Sequence, residues 1–246
     1  MKILHFDDDL VAIDKPCGLL VHPSALDAHE SESALHLMQA QLGQALWPVH
    51  RLDKGTSGVL LFARHREAAR HWGHLFESGQ VRKRYLALVR GWPAEDGVID
   101  YPLARDPELP SAGQSRLEAT TRFRRLATFE WPFQVDDRYP ASRYALMQVE
   151  PLSGRRHQIR RHFKHIGHPL IGDTTHGKGD HNRAVAQWLG VRRLWLHAWH
   201  VQVESDKPIH IAAPAGQEWA GLLPASEAPP SEVEEVRRTA QDADCA

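Results

Sequence analysis

Directly behind the turn residues Gly55-Thr56-Ser57-Gly58 comes Val59-Leu-Leu-Phe-Ala63, an apolar run of strand length with no charge in it. Such a run, bounded by turn signals, reads as a buried strand. A buried strand needs neighbours in its sheet and cover on its faces. "KILHF", "LVAID" and "GLLVH", punctuated by Pro16, Gly18 and Pro23, read as strands and a turn, and "VRKRYLALVRG" as a strand with one wet face. "TRFRRLATFE", "SRYALMQVEP" and "RLWLHAWHVQVE" add further strands. Helical spacing is confined to "SALHLMQAQLG", which Ser33 can cap and Gly43 can end, "REAARHWGHLFESG", and "RHQIRRHFKHIG". In the last of these Ile159, Phe163 and Ile166 share the core face, and Arg156, Arg160 and Lys164 form a neighbouring stripe. Strands outnumber helices and do not alternate with them. The expected class is therefore α+β, with a mixed, mostly antiparallel central sheet flanked by helices and loops.

The 246 residues suffice for one large domain or two lobes sharing a core. From Pro224 onward, proline, serine, alanine and acids take over. We expect a body over residues 1–223 and an acidic, disordered tail over 224–246. The net charge of −1 hides an asymmetry: the tail holds six acids and two bases, leaving the body 28 bases and 25 acids. Two distant cysteines exclude a disulfide framework or a cysteine-based zinc site and fit a reduced, cytoplasmic setting. "MKILHFDDDL" is no secretory signal, and no apolar run reaches the length of a membrane span.

Gly154 to His168 carries Arg155, Arg156, Arg160, Arg161 and Lys164, four histidines and no acid. That pattern is a footprint for a polyanion, although a solvated helix face explains clustering alone equally well. Asp53 stands between Arg51 and Lys54 in "HRLDKGTSG". An aspartate there is ordinary turn chemistry, but adjacent cations favour its charged form, and glycines let a ligand approach the backbone. A carboxylate so held can act as nucleophile or base. Gly55-Thr56-Ser57-Gly58 lacks the Gly-Lys-Ser/Thr of a phosphate loop, and no nucleophile elbow supports a triad of His50, Asp53 and Ser57. His157, His162, His165 and His168 lack the spacing of a zinc helix, so no metal is expected. Tyr85, among Arg82, Lys83 and Arg84, is either a packed strand tyrosine or a stacking platform for a base.

In order along the chain, "HRLDKGTSGVLLFA", "KRYLALVRG", "EPLSGRRHQIRRHFKHIGHPLIGD" and "RLWLHA" resemble the RluA-type pseudouridine synthases, from about "AIDKPCGLLVHP" to Ala198. The resemblance implies an active-site cleft between two lobes, no metal or organic cofactor, and isomerisation of uridine to pseudouridine in RNA. At the matching positions Asp53 would be the catalytic aspartate. Arg51 would fill the space left by the everted nucleotide, Tyr85 would stack on the uracil and help with the proton at carbon 5, Arg160 would pair with Asp53, and Leu196 would wall the base pocket. Lys83, Arg84, Arg155, Arg156, Arg161 and Lys164, with Arg51, are expected to contact RNA. The segments "RYPASRYALMQVEP" and "HGKGDHNRAVAQWLGVRRLWLHA" are most similar to the TruC branch of the family, which acts on uridine 65 of tRNA. The expected agent is a cytoplasmic monomer with tRNA as partner and no membrane. The alternatives are the same chemistry on 23S ribosomal RNA or another tRNA position, a non-catalytic RNA chaperone, and a hydrolase using Asp53 as base.

Overall fold

The computed structural model describes residues 1–22, 32–110, 112–204 and 208–224. The acidic tail expected over 224–246 lies outside them from Ala225 onward, as does Pro23. The chain runs β1 (Ile3–Phe6), β2 (Leu10–Lys15), α1 (Ala34–Leu42), β3 (Trp47–Pro48), β4 (Ser57–Ala63), α2 (Arg66–Glu77), β5 (Val81–Arg90) and β6 (Asp96–Asp100). There follow β7 (Leu103–Ala104), β8 (Arg116–Leu117), β9 (Thr120–Trp131), β10 (Ser142–Pro151), α3 (Gln158–His165), α4 (Gly179–Leu189), β11 (Leu196–Val203) and β12 (Ile209–Ala212).

The main sheet has the order β1-β2-β4-β11-β5-β10-β9-β6, with β3 paired to β4 and β12 to β11. Every pair is antiparallel except β4 with β11, which meet in parallel at Ser57–His197 and Gly58–Ala198. This short junction divides the sheet into an N-terminal and a C-terminal half, and it depends on Gly58. That residue has φ +102°, and a Cβ there would lie 2.2 Å from the Ala198 carbonyl oxygen.

Side chains alternate across each strand, so each face of the sheet builds its own core. On one face Val11, Ile13, Leu60 and Phe62 pack with Ala34 and Met38 of α1, and Ala87, Met147, Val149 and Leu196 pack with Ile159 and Phe163 of α3. On the other, Leu10, Val59 and Leu61 meet Trp72 and Leu75 of α2, while Leu86, Leu88, Tyr144 and Trp195 meet Val185 of α4. β4 is buried at all seven positions, as its uncharged sequence requires. Among the described residues no helix is long and apolar enough to cross a membrane.

Four expectations change. "GLLVH" is not a strand: Leu20 makes only an isolated bridge to Ser33. The buried Lys15 ammonium instead draws the chain into a loop, donating to the carbonyls of Pro16 (2.9 Å), Leu19 (2.7 Å) and Lys54 (3.2 Å). β5 has no wet face beyond Tyr85, because it lies between β11 and β10 and Leu86 to Val89 are all buried. Arg156, Arg160 and Lys164 form no stripe. His157 adopts a left-handed conformation (φ 55°), so the helix starts only at Gln158; Arg156 precedes it, Arg160 is buried and Lys164 is exposed. Finally, α4 was not anticipated in "GDHNRAVAQWL", although Gly190 ends it in the left-handed conformation.

Candidate active site

Asp53 lies in the connection from β3 to β4, at the parallel junction of the sheet. Its neighbours fix it. His50 is anchored inside, stacked on Phe76 at 4.8 Å and accepting from the Leu61 amide at 3.1 Å, and Leu52 is buried in the core beside Leu60. Arg51 and Asp53, between and after these anchors, face open space. A turn follows, closed by the Thr56 amide donating to the Asp53 carbonyl at 2.9 Å. The Lys54 carbonyl is held by the Gly18 amide (2.9 Å) and by Lys15, and the Gly55 carbonyl by the Cys17 thiol at 3.0 Å. Burial lowers the Lys15 pKa to about 8, against the attraction of Asp53.

Arg160 reaches this turn from α3. The helix is fixed at its start by the buried Gln158, which accepts from Ser153 Oγ (2.8 Å) and the Arg155 amide (2.9 Å). It also donates to the Thr120 carbonyl and Thr121 Oγ1, both at 3.0 Å. Arg160 Nη1 donates to Asp53 Oδ2 at 2.8 Å. Its Nε and Nη2 grip Asp173 in a fork, at 2.7 Å to Oδ2 and 2.9 Å to Oδ1. Burial opposes the arginine's charge, but Asp173 and Asp53 outweigh it and hold the guanidinium pKa above its usual value. Burial likewise opposes ionisation of Asp173, and Arg160 with the Thr175 and His176 amides overcomes it, leaving the pKa lowered. Asp173 is placed by Gly172 (φ +78°), whose missing Cβ would collide with the Arg193 carbonyl oxygen at 1.6 Å.

Two cavities meet at this bridge and share Arg51, Leu52, Asp53, His157 and Arg160 as walls. The smaller, about 460 Å³, is lined by Tyr85, Leu196, Ile159 and Thr56, with Lys83 and Arg155 at its margins. The larger, about 1300 Å³, runs from Asp53 past Asp173 to α4. Tyr85 and Leu196 come to the smaller cavity from adjacent strands on one sheet face: Tyr85 pairs with Ala198, and Leu196 with Ala87. Burial and the charge of Asp53 both raise the Tyr85 phenol pKa, so the ring stays neutral. The arrangement puts a charged carboxylate, braced by a buried arginine, at the mouth of a small pocket with an aromatic and aliphatic floor.

The structure thus brings together Asp53, Tyr85, Arg160, Leu196, Arg51, Lys83 and Arg155. Arg156 lines only the larger cavity and is tied to Glu108 and to Asp106 at 3.7 Å. Arg84 alternates to the opposite face and sits beside His200. Arg161 donates to the Ala104 carbonyl at 2.9 Å, and neither it nor the exposed Lys164 lines either cavity. Of the four histidines, His162 is buried between Thr121 Oγ1 (2.9 Å) and the Tyr101 carbonyl (3.0 Å), His165 stacks on Tyr101, and His168 binds the Arg90 carbonyl.

Two site residues were missed. Asp173 closes the motif "EPLSGRRHQIRRHFKHIGHPLIGD" but had no role. The available signal was that an arginine facing one carboxylate leaves most of its five donors unused, which a buried site does not tolerate. His157 puts Nε2 3.8 Å from Asp53 Oδ1 and pairs its Nδ1 with His176 Nε2 at 3.1 Å. Burial lowers its pKa, against the attraction of Asp53. It is the only non-glycine residue with positive φ among those described, and nothing in the sequence set it apart from the other three histidines.

The sequence model of the RNA pseudouridylate synthase family matches residues 9–165. A tRNA pseudouridine synthase C from Vibrio cholerae serotype O1 is 39% identical over 231 residues, covering 91% of this chain and 94% of its own. Another of that name from Pasteurella multocida (strain Pm70) is 42% identical over 237 residues, covering 91% and 95%. Among solved structures, human RNA pseudouridylate synthase domain containing 1 superposes with a TM-score of 0.70 at 21% identity. It covers 96% of this chain and 93% of its own, and this is a likeness of fold. On the family match and these relatives together, the chain belongs to the RNA pseudouridylate synthase family.

Proposed function

We propose that the protein converts a uridine of tRNA to pseudouridine, at position 65, with Asp53 as the catalytic residue. The observation that carries this reading is the Asp53–Arg160 bridge at the mouth of the pocket floored by Tyr85 and Leu196. The names of the 39% and 42% identical relatives support tRNA as the substrate.

A uridine within a stem must first be everted, at a cost of a few kcal/mol. Arg51, exposed where the two cavities join, enters the gap in the stacked bases and offsets that cost. The uracil stacks on Tyr85 against Leu196. The bond from ribose C1′ to uracil N1 breaks, the base turns, and C1′ bonds to C5. The C5 hydrogen leaves as a proton and N1 gains one, so the reaction is an isomerisation without net oxidation. The transition state has oxocarbenium character, which a carboxylate stabilises. A glycosidase needs a second carboxyl as acid, but Asp173 is unsuited to that task, since both its oxygens already accept from Arg160 and one of them also from two backbone amides. Uracil departs as a stabilised anion and is recaptured, so one carboxylate suffices while water is kept out. We further propose that residues 1–223 are the catalytic body and that a monomer acts in the cytoplasm, where tRNA is processed.

Purified protein without added metal should release tritium from tRNA labelled at uracil C5. Mapping pseudouridine in total RNA from a strain lacking the protein should show one mark lost, at tRNA position 65. A mark lost from 23S RNA with tRNA intact would reject the tRNA assignment.

A further inference from the structure

We infer that the larger groove is a track for the RNA phosphodiester backbone flanking the target uridine, with Arg183 and Arg192 as its anchors on the wall remote from Asp53. The inference rests on the proposed reaction, because it concerns where the rest of the polymer lies when one base enters the small pocket. The everted nucleotide is covalently continuous with its neighbours, so their phosphates must leave the bridge through open space. The groove shares Arg51, Asp53, His157 and Arg160 with the base pocket and extends from them to α4. Its volume of about 1300 Å³ exceeds the roughly 300–1,000 Å³ usual for a small-molecule site.

The charge of the lining selects the ligand. Seven bases and three acids line the groove. All three acids are engaged: Asp53 and Asp173 by Arg160, and Glu108 by Arg156. Arg51 and Arg192 are exposed and have no acid within ion-pair distance among the described residues. Arg183 pairs only with Asp180, one turn away on α4, and both side chains are about three-quarters exposed. Such an exposed pair contributes little and yields readily to a phosphate. Arg193, by contrast, is committed to Glu218, Ser57 and the Leu194 carbonyl, and serves the fold.

The position of this wall in the chain adds a second point. The family match ends at residue 165, before α4, Arg183 and Arg192. The alignments with the two bacterial relatives cover 91% of the chain and so take in this segment. The remote wall of the groove, with Arg183 and Arg192, thus lies beyond the span of the family match, where selection among RNA substrates can reside.

The test is a salt titration of tRNA binding by the full chain and by the Arg183→Ala/Arg192→Ala variant. Turnover leaves the phosphate charge unchanged and does not disturb the comparison. The variant should bind a tRNA transcript about tenfold or more weakly. Its plot of log affinity against log salt should be shallower by about 0.7–0.9 for each phosphate that is no longer neutralised, and the kinetic effect should fall on KM. Both arginines are surface residues, so the thermal unfolding curve should be unchanged, and Asp180→Ala, which frees Arg183, should not weaken binding. An unaltered affinity and slope in the double variant would overturn the inference. Failure of the proposed reaction would show differently, as absent tritium release by the unmutated chain.

Discussion

Asp53 is held by Arg160 through a single nitrogen, Nη1 to Oδ2 at 2.8 Å, because the other two hydrogen-bonding nitrogens of that guanidinium belong to Asp173. The fork with Asp173 fixes the plane of the guanidinium and aims the remaining N–H at the turn before β4. The two tasks, holding Arg160 and holding Asp53, can be separated by mutation.

Arg160→Met leaves the Asp173 carboxylate buried without its partner. Breaking a buried pair from one side costs about 3–5 kcal/mol, so urea unfolding should show a loss of that order together with loss of tritium release. Arg160→Met combined with Asp173→Leu removes both charges. The double variant should recover most of the stability and none of the activity. Recovery of activity in it would show that Asp53 needs no bracing arginine.

Tyr85 should divide in the same way. Tyr85→Phe keeps the ring, so uracil still stacks and the loss falls on the proton at C5, slowing tritium release with little change in KM. Tyr85→Leu removes the platform as well, and stacking on an aromatic is worth ~1–3 kcal/mol per base. Because burial and Asp53 hold the phenol neutral, neither variant should remove a limb from the pH–rate profile above neutrality. The loss of such a limb in Tyr85→Phe would contradict this.

Two histidines, His197 buried and His50 partly buried, predict how stability follows pH. His50 accepts a hydrogen bond from the Leu61 amide at Nε2, and burial, with Lys83 nearby, lowers its pKa to about 3. His197 donates from Nε2 to the Ala213 carbonyl and accepts at Nδ1 from Ser57. Burial, with Arg193, lowers its pKa to about 4 against the pull of Ala213 and Glu218. Both rings are therefore neutral in the folded chain at pH values where the unfolded chain protonates them, below about 6.5. The unfolded state binds the extra protons, so stability is present above that value and is lost as pH falls from about 6.5 towards 4. Each ring contributes a slope of about 1.4 kcal/mol per pH unit once its unfolded form is protonated. Denaturant unfolding between pH 6 and 5 should be less steep in pH by about that amount for His50→Gln and for His197→Gln. Curves parallel to the unmutated protein would refute the assignment.

Much of the architecture was legible because it is written in apolar spacing. The uncharged run after Gly58 did become a strand buried throughout, and Ser33 and Gly43 do cap α1, through the His36 amide and a left-handed turn. "GLLVH" misled because its apolar residues reach the core from a loop organised by the Lys15 ammonium, whose carbonyl partners are brought together only by the tertiary fold. The charge stripe misled because helical spacing says nothing of the residue at which a helix begins, and the left-handed His157 sets that point. In the site, Asp53, Tyr85, Arg160 and Leu196 were marked by motif. Asp173 lies in a motif that gives it no role, and Arg192 in none that singles it out; what marks them is burial beside Arg160 for one and exposure on the groove wall for the other.

The most direct measurement is tritium release at uracil C5 from labelled tRNA by the unmutated chain and by Asp53→Asn. The substitution keeps the volume and an acceptor for Arg160 and removes only the charge. The unmutated chain should release tritium, Asp53→Asn should release none above background at any enzyme concentration, and both should bind tRNA. Release by Asp53→Asn at a rate near that of the unmutated protein would contradict a catalytic role for this carboxylate.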